Sequence, residues 1–131
     1  MTKLLWQPTQ SQIEQTKIWK FQQIINKKYS LELKGYDELH KWSVENAEKF
    51  WSCIWDITDV KGQKGQAPYL LDAHKMPGAR WFPHAQLNYA ENLLRFRDDQ
   101  TAIIFRNQKG MRQSISFAEL YTQVAQCSAA L

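Results

Sequence analysis

Apolar residues recur at helical spacing in the first quarter of the chain, and this pattern predicts a helix running to about Lys28. Ser11 and Glu14 match a capping box at the start of this helix. The segment from Leu4 to Pro8 is expected to be extended or irregular. The apolar stripe of the helix consists of Ile18, Phe21 and Ile25.

A second apolar pattern predicts two more helices before residue 58. Asp37 can cap a short helix that places Leu39 beside Trp42, and Ser43 can cap the next one. The later helix should be the most deeply packed element of this half, with the aromatic residue at position 50 or 51 as a core anchor. Its broad apolar face contains Val44, Ala47, Phe50 or Trp51, Ile54 and Trp55.

The helical pattern fades between Thr58 and Gly78, where the sequence KGQKGQAP has the composition of a loop. The chain stays irregular around Pro83. A helical turn or two is predicted between Tyr89 and Phe96.

The last quarter of the chain changes to a strand pattern. Thr101–Arg106 and Met111–Ile115 are predicted strands joined by a turn at 107–110, and Ser116 with Glu119 matches a capping box. The helix that follows ends without a closing residue, and one hairpin with one helix cannot bury both faces of so hydrophobic a strand pair. We therefore expect the chain to be cut from a longer protein. The stripe contains Phe117, Leu120, Val124 and Leu131.

Composition narrows the class of protein. Apolar residues make up 44% of the chain, which is typical of a globular domain, and six Trp, six Phe and five Tyr imply a core or interface rich in rings. A net charge of +4 spread over several elements does not form the concentrated patch of a nucleic-acid binder. No apolar run could span a bilayer. Cys53 and Cys127 are expected to be reduced thiols in a cytoplasmic protein.

The chain carries no motif that predicts chemistry. His40, His74 and His84 lack metal-ligand spacing, and Cys53 is expected to be a buried, inert thiol. The glycines are dispersed, and the sequence GQKG at 62–65 is too short to cradle a triphosphate. The sequence therefore predicts no catalytic, cofactor-binding or metal-binding residue in this chain.

Several segments together resemble the amino-terminal region of acetyl- and acetoacetyl-CoA synthetases, members of the adenylate-forming superfamily. The resemblance covers essentially the whole chain. The similar segments are Leu5-Trp-Gln-Pro8, Tyr36 to Val44 with Phe50-Trp51, Trp81-Phe82-Pro83, Leu87 to Leu94, and Ser116 to Leu120.

The resemblance implies an α+β fold with an amino-terminal domain over 1–97 and the start of the AMP-forming domain over 98–131. It implies a parent ligase that activates acetoacetate as an acyl-adenylate and transfers it to coenzyme A, using ATP and Mg, with every catalytic residue beyond Leu131. The implied partner is the remainder of the same chain, with no nucleic acid and no membrane. Asn88 and Asn92 either hydrogen-bond the backbone of that remainder or cap turns locally.

Two alternatives remain at this point. The parent could be an acetyl-CoA or other short-chain acyl-CoA synthetase, because Trp42-Ser43 and Phe50-Trp51 occur in both types. The chain could also be a free-standing module whose apolar stripes dock a partner protein.

Overall fold

A computed structural model of the chain describes residues 5–131, so the predicted extension at Leu4 lies outside the described residues. The helices and two small antiparallel sheets confirm the α+β class. The helices are α1 (Gln10–Gln15), α2 (Lys17–Tyr29), α3 (Tyr36–Glu45), α4 (Ala47–Ile57), α5 (Tyr89–Leu93) and α6 (Phe117–Ala129). The strands are β1 (Leu70–Leu71), β2 (Arg80–Trp81), β3 (Thr101–Arg106) and β4 (Arg112–Ser116).

The chain divides into two compact units. The first contains the residues up to Val60 together with Lys64–Ala85, and the second contains Lys61–Gln63 together with Gln86–Leu131. The domain boundary predicted after residue 97 concerns a longer enzyme, and it stays a prediction.

The core of the first unit lies where α2, α3 and α4 meet. Ile25 of α2 has no exposed surface, and Cys53 of α4 is 1% exposed. The α2 stripe and the predicted pairing of Leu39 with Trp42 are confirmed in this core. Its buried members are Phe21, Ile25, Leu39, Trp42 and Cys53.

The predicted apolar face of α4 is wrong in part. The helix begins at Ala47 after Asn46, and the Ser43 hydroxyl donates to the His40 carbonyl at 2.7 Å inside α3 instead of capping a helix. Val44 therefore belongs to α3 and is 66% exposed. The buried residues of α4 are Ser52 and Cys53, and Phe50 and Ile54 of the predicted face pack against the core beside them.

The aromatic residues at 50 and 51 differ in burial. Phe50 is half-buried and packs against the core, whereas Trp51 is 45% exposed. Trp51 therefore does not anchor the core of this unit. α2 contributes Phe21, Gln22 and Ile25, and so buries more residues than α4.

The first predicted helix is two helices. Thr9 and Gln12, not Ser11 and Glu14, form the capping box of α1. Thr16 then adopts an extended backbone, and its hydroxyl accepts the Trp19 N–H at 3.2 Å to start α2. A threonine can end one helix and cap the next because its side chain replaces the missing backbone acceptor.

The start of α3 also differs from the expectation, because Gly35 is the N-cap. Asp37 lies in the first turn instead, where its negative charge suits the helix dipole.

The pairing of β1 with β2 was not predicted. Leu70 lies opposite Trp81, and Leu71 lies opposite Arg80. Two-residue strands are too short to show an alternating pattern, so the sequence offers no periodic signal for them.

The second unit agrees closely with the sequence pattern. β3 pairs with β4 in antiparallel register, and the Ser116–Glu119 capping box at α6 is confirmed. α5 confirms the predicted helical turn after Pro83. α6 has no fully buried residue: Phe117 and Leu120 of its apolar stripe are half-buried, and Val124 is 37% exposed.

Candidate functional site

Lys64 makes three contacts inside the first unit. Its Nζ lies 2.6 Å from Asp56 Oδ1, donates to the Ser52 carbonyl at 2.8 Å, and stands 4.9 Å from the centre of the Tyr69 ring. The side chain is only 18% exposed. Lys28 approaches the other oxygen of Asp56 at 3.4 Å. This network ties the loop after α4 back onto the helix.

The network shifts the pKa values of Asp56 and Lys28. Burial alone would raise the pKa of the Asp56 carboxyl, but the hydrogen bond and charge of Lys64, with a smaller effect of Lys28, hold this pKa below its ordinary value. Burial alone would lower the pKa of Lys28, but Cys53 and Asp56 outweigh it and raise that pKa. Asp56 is therefore ionised across the neutral range.

Tyr29 and Cys53 meet at the edge of the core. The tyrosine oxygen lies 3.5 Å from the cysteine sulfur. Burial and this contact raise the pKa of the Tyr29 hydroxyl. Because Cys53 is almost fully enclosed, the position agrees with the expected buried thiol; Cys127 is exposed.

The GQKG segment uses its glycines for packing. A Cβ at Gly62 would lie 2.6 Å from the Gln86 carbonyl oxygen, and a Cβ at Gly65 would lie 2.5 Å from the His84 carbonyl oxygen. Both glycines have positive φ, and Lys64 between them is bound to α4. A phosphate cradle needs free backbone N–H groups around an open space, so the described residues at 62–65 do not fit a nucleotide triphosphate.

Asn88 and Asn92 act inside the second unit. Asn88 Oδ1 accepts the Glu91 N–H at 3.1 Å and caps α5. Asn92 Oδ1 accepts the Lys61 N–H at 2.8 Å, while its Nδ2 donates to the Lys61 carbonyl at 2.8 Å and to the Asn88 carbonyl at 2.9 Å. Asn88 has the predicted local capping role, whereas Asn92 mainly bonds a segment of the same unit 31 residues away, which neither predicted role describes.

An aromatic surface joins α4 to the β2 region of the first unit. Trp51 packs edge-on against Trp81 with ring centres 5.9 Å apart, and Phe82 contacts both Trp55 and Tyr69. Trp51 and Trp81 are each 45% exposed. The sequence predicts a core or an interface rich in rings, and in this surface Trp51 and Trp81 face solvent.

The rings of this aromatic surface line a cavity of about 310 Å³, formed by Trp51, Trp81 and Phe82. Nearby, the Glu48 carboxylate accepts the Tyr69 N–H at 2.7 Å and fixes the preceding loop. The role of Glu48 was missed, because no motif links a helical glutamate to a backbone N–H 21 residues away.

The histidines do not come together. His40 stacks on Tyr36 with ring centres 6.0 Å apart, and His74 and His84 are exposed on separate loops. Within residues 5–131 no group of three His, Cys, Asp or Glu side chains is placed to hold a metal ion. No helix in the described range is long and apolar enough to cross a membrane.

The hairpin and α6 expose apolar surface in the second unit. Ile103, Ile104 and Phe105 are between 47% and 54% exposed, although they point alternately to the two faces of β3. An apolar run of this kind is typical of a strand covered on both faces. The hairpin surface of the second unit thus leaves apolar side chains exposed.

Comparison with known proteins shows which proteins this chain resembles. The family model for the acetyl-coenzyme A synthetase N-terminus matches residues 36–93. An acetoacetyl-coenzyme A synthetase of Rhizobium meliloti is 33% identical over 97% of this chain and 19% of its own length. A malonamoyl-CoA synthetase of Penicillium aethiopicum is 32% identical over 98% of the chain and 18% of its own length.

A solved structure agrees with these matches. The acetoacetyl-CoA synthetase from Streptomyces lividans superposes with a TM-score of 0.80 at 36% identity, covering 99% of this chain and 21% of that one. The chain is therefore similar, over nearly its whole length, to the amino-terminal region of acyl-CoA synthetases. It spans about a fifth of the length of the relatives it matches, most of which are acetoacetyl-CoA synthetases. This favours an enzyme portion over a free-standing interaction module.

Proposed function

We propose that this chain is the amino-terminal structural portion of a ligase that activates acetoacetate with ATP and transfers it to coenzyme A. The observation that carries the proposal is the match over 97–99% of the chain to acetoacetyl-CoA synthetases from bacteria and vertebrates. We further propose a cytoplasmic enzyme that supplies acyl-CoA to lipid metabolism.

The proposed reaction has two steps. The carboxylate of the acid attacks the α-phosphorus of ATP, pyrophosphate leaves, and an acyl-adenylate forms. The thiol of coenzyme A then attacks the acyl carbon, and AMP leaves. The first step needs Mg²⁺ and positive groups placed where negative charge develops.

The residues of this chain are not assigned a step in that chemistry. Gly62, Lys64 and Gly65 are the nearest match to a phosphate loop, and all three are occupied by contacts to the chain itself. We propose that ATP, Mg²⁺ and coenzyme A are bound by residues outside this region, and that none of its side chains is catalytic.

The proposed role of this region is to pack on the remainder of its own chain. In the second unit, the apolar run of β3 and the stripe of α6 need cover on faces that the described residues leave open. In the first unit, the cavity between Trp51 and Trp81 offers a recess for an apolar side chain. These surfaces have the composition of interface cores, which are rich in aromatic residues.

The acid substrate is proposed to carry a carbonyl at its third carbon. Acetoacetate has this feature, and so does malonamate, in which an amide replaces the methyl ketone. A relative named as a malonamoyl-CoA synthetase matches this chain about as well as the acetoacetyl-CoA synthetases do, so malonamate is the second candidate. A site that donates a hydrogen bond to the second carbonyl should reject acids that leave the donor unpaired.

Acetoacetate-dependent exchange of labelled pyrophosphate into ATP tests the proposal. The full-length protein should catalyse this exchange, since formation of the acyl-adenylate is reversible. It should also form acetoacetyl-CoA when coenzyme A is added. Absence of exchange with all carboxylic acids in a panel from two to six carbons would contradict the proposed activity. Exchange by the 131-residue region alone would contradict the assignment of catalysis to residues outside it.

A further inference from the structure

The tip of the β3–β4 hairpin concentrates positive charge. Arg106 lies directly opposite Arg112 in the strand register, and Lys109 lies in the turn between them. The sixteen residues from 101 to 116 contain these three cations and no acidic residue. The turn is well formed, because Asn107 Oδ1 accepts the N–H groups of Lys109 and Met111, each at 3.0 Å.

This arrangement is unfavourable for an isolated hairpin. Side chains directly opposite each other on antiparallel strands share a face, with Cβ atoms about 5 Å apart, and like charges there destabilise the pair. No ion pair within residues 5–131 involves Arg106, Lys109 or Arg112; the four described pairs lie elsewhere. An acidic residue at either strand position would form a favourable pair, and the sequence has none.

We infer that the Arg106–Arg112 pair docks against carboxylates on the remainder of its own chain. This inference rests on the proposed function, in which that remainder packs on the hairpin. The arginines would anchor the hairpin tip through charge-assisted hydrogen bonds to aspartate or glutamate side chains. The planar guanidinium suits such pairing because it can bond both oxygens of a carboxylate.

The position of the pair favours this occupant over a small anion. Arg106 lies two residues after Ile104 on the same face of β3, and Ile104 is 54% exposed. A surface that covers Ile104 on this face therefore reaches the arginines at its rim. Charged rims around an apolar centre are the usual arrangement of protein interfaces.

Hydrogen exchange of the hairpin amides in the full-length protein tests the inference, because a docked tip and a free tip predict opposite changes in exchange rate when an arginine is replaced by glutamate. If the tip is docked on carboxylates, Arg106→Glu and Arg112→Glu should each accelerate exchange by about threefold or more. The hairpin amides of the double variant should exchange faster than those of either single variant. Arg106→Lys, which keeps the charge, is the matched control and should change exchange least.

A free tip gives the opposite result. Arg106→Glu would then face Arg112 as an opposite charge and slow exchange, while the double reversal would return to the original rate. Either observation would overturn the inference. Pyrophosphate exchange is measured on the same preparations, so loss of the proposed activity in the unmodified protein is recognised separately from the sign of the hairpin effect.

A second experiment identifies the occupant. A carbodiimide joins a lysine amine to a carboxylate that contacts it, so the Arg106→Lys full-length variant should yield a cross-link between the hairpin peptide and an acidic peptide from beyond residue 131. Mixing isotopically light and heavy protein distinguishes links within one chain from links between copies. Links only within residues 5–131, links only between copies, or no link at position 106 would each contradict the inference.

Discussion

Replacing Asn92 with aspartate is a nearly isosteric change that should open the clasp between α5 and Lys61. The native amide accepts one hydrogen bond and donates two, to the carbonyls of Lys61 and Asn88. A carboxylate keeps the accepting oxygen but has no donor. It also places a second oxygen against two carbonyl oxygens, which repel it.

The magnitude follows from the bonds lost. Two donated hydrogen bonds, at 2.8 and 2.9 Å, each contribute about 1 kcal/mol net, so the local stability should fall by about 2 kcal/mol. Asn92 is half-buried, so water can replace only part of these bonds. A loss of this size corresponds to roughly a 30-fold change in the opening equilibrium.

Amide exchange at Gln63 reports this opening, because the Gln63 N–H donates to the Gln86 carbonyl at 2.7 Å beside the clasp. Exchange at Gln63 should accelerate by roughly 30-fold in Asn92→Asp. Asn88→Asp is the control, since its role is to accept the Glu91 N–H and aspartate caps helices as well as asparagine does. Equal exchange rates in the two variants would refute the assignment of the clasp to Asn92.

Three further predictions concern the first unit. Gly65→Ala should lower the unfolding midpoint more than Gly110→Ala does. Both glycines have a similar positive φ, +75° and +79°, but an added Cβ would lie 2.5 Å from a carbonyl oxygen only at Gly65. Asp56→Asn should destabilise the protein at neutral pH. Its carboxyl has a folded-state pKa below the unfolded value, so the stability difference from the native protein should be full above the unfolded pKa and close as the pH falls through the folded pKa; a difference that persists at low pH would contradict the reasoning. Ile25→Ala should lower the free energy of unfolding, measured by denaturant, by about 3 kcal/mol, with Ile24→Ala as the exposed control. Equal losses in the two variants would contradict the placement of Ile25 in the core.

Local signals explain how much of the fold the sequence predicts. The capping box at Ser116 and the apolar run of β3 depend only on neighbours along the chain, and both predictions are confirmed. The capping box at the first helix was misplaced by two residues. Thr9, Ser11 and Thr16 all have capping side chains, and only the backbone geometry selects between them.

Contacts between residues far apart in the sequence were harder to predict. The Lys64–Asp56 pair joins a helix to a loop, and the bond from Tyr69 to Glu48 spans 21 residues, so neither has a fixed spacing that a motif could express. The sequence could not decide between Phe50, which packs against the core, and Trp51, which is 45% exposed, for a related reason. Helical spacing shows that a residue belongs to an apolar face, but not whether that face is covered by this region or by another part of the protein.

The ratio of kcat/KM for acetoacetate to that for acetate, measured with the full-length enzyme, tests the central claim most directly. We predict a ratio well above one, with malonamate second to acetoacetate or equal to it. An acid without the second carbonyl leaves a donor in the proposed site unpaired, so acetate should be a poor substrate. A ratio at or below one would contradict the assignment of acetoacetate as the substrate.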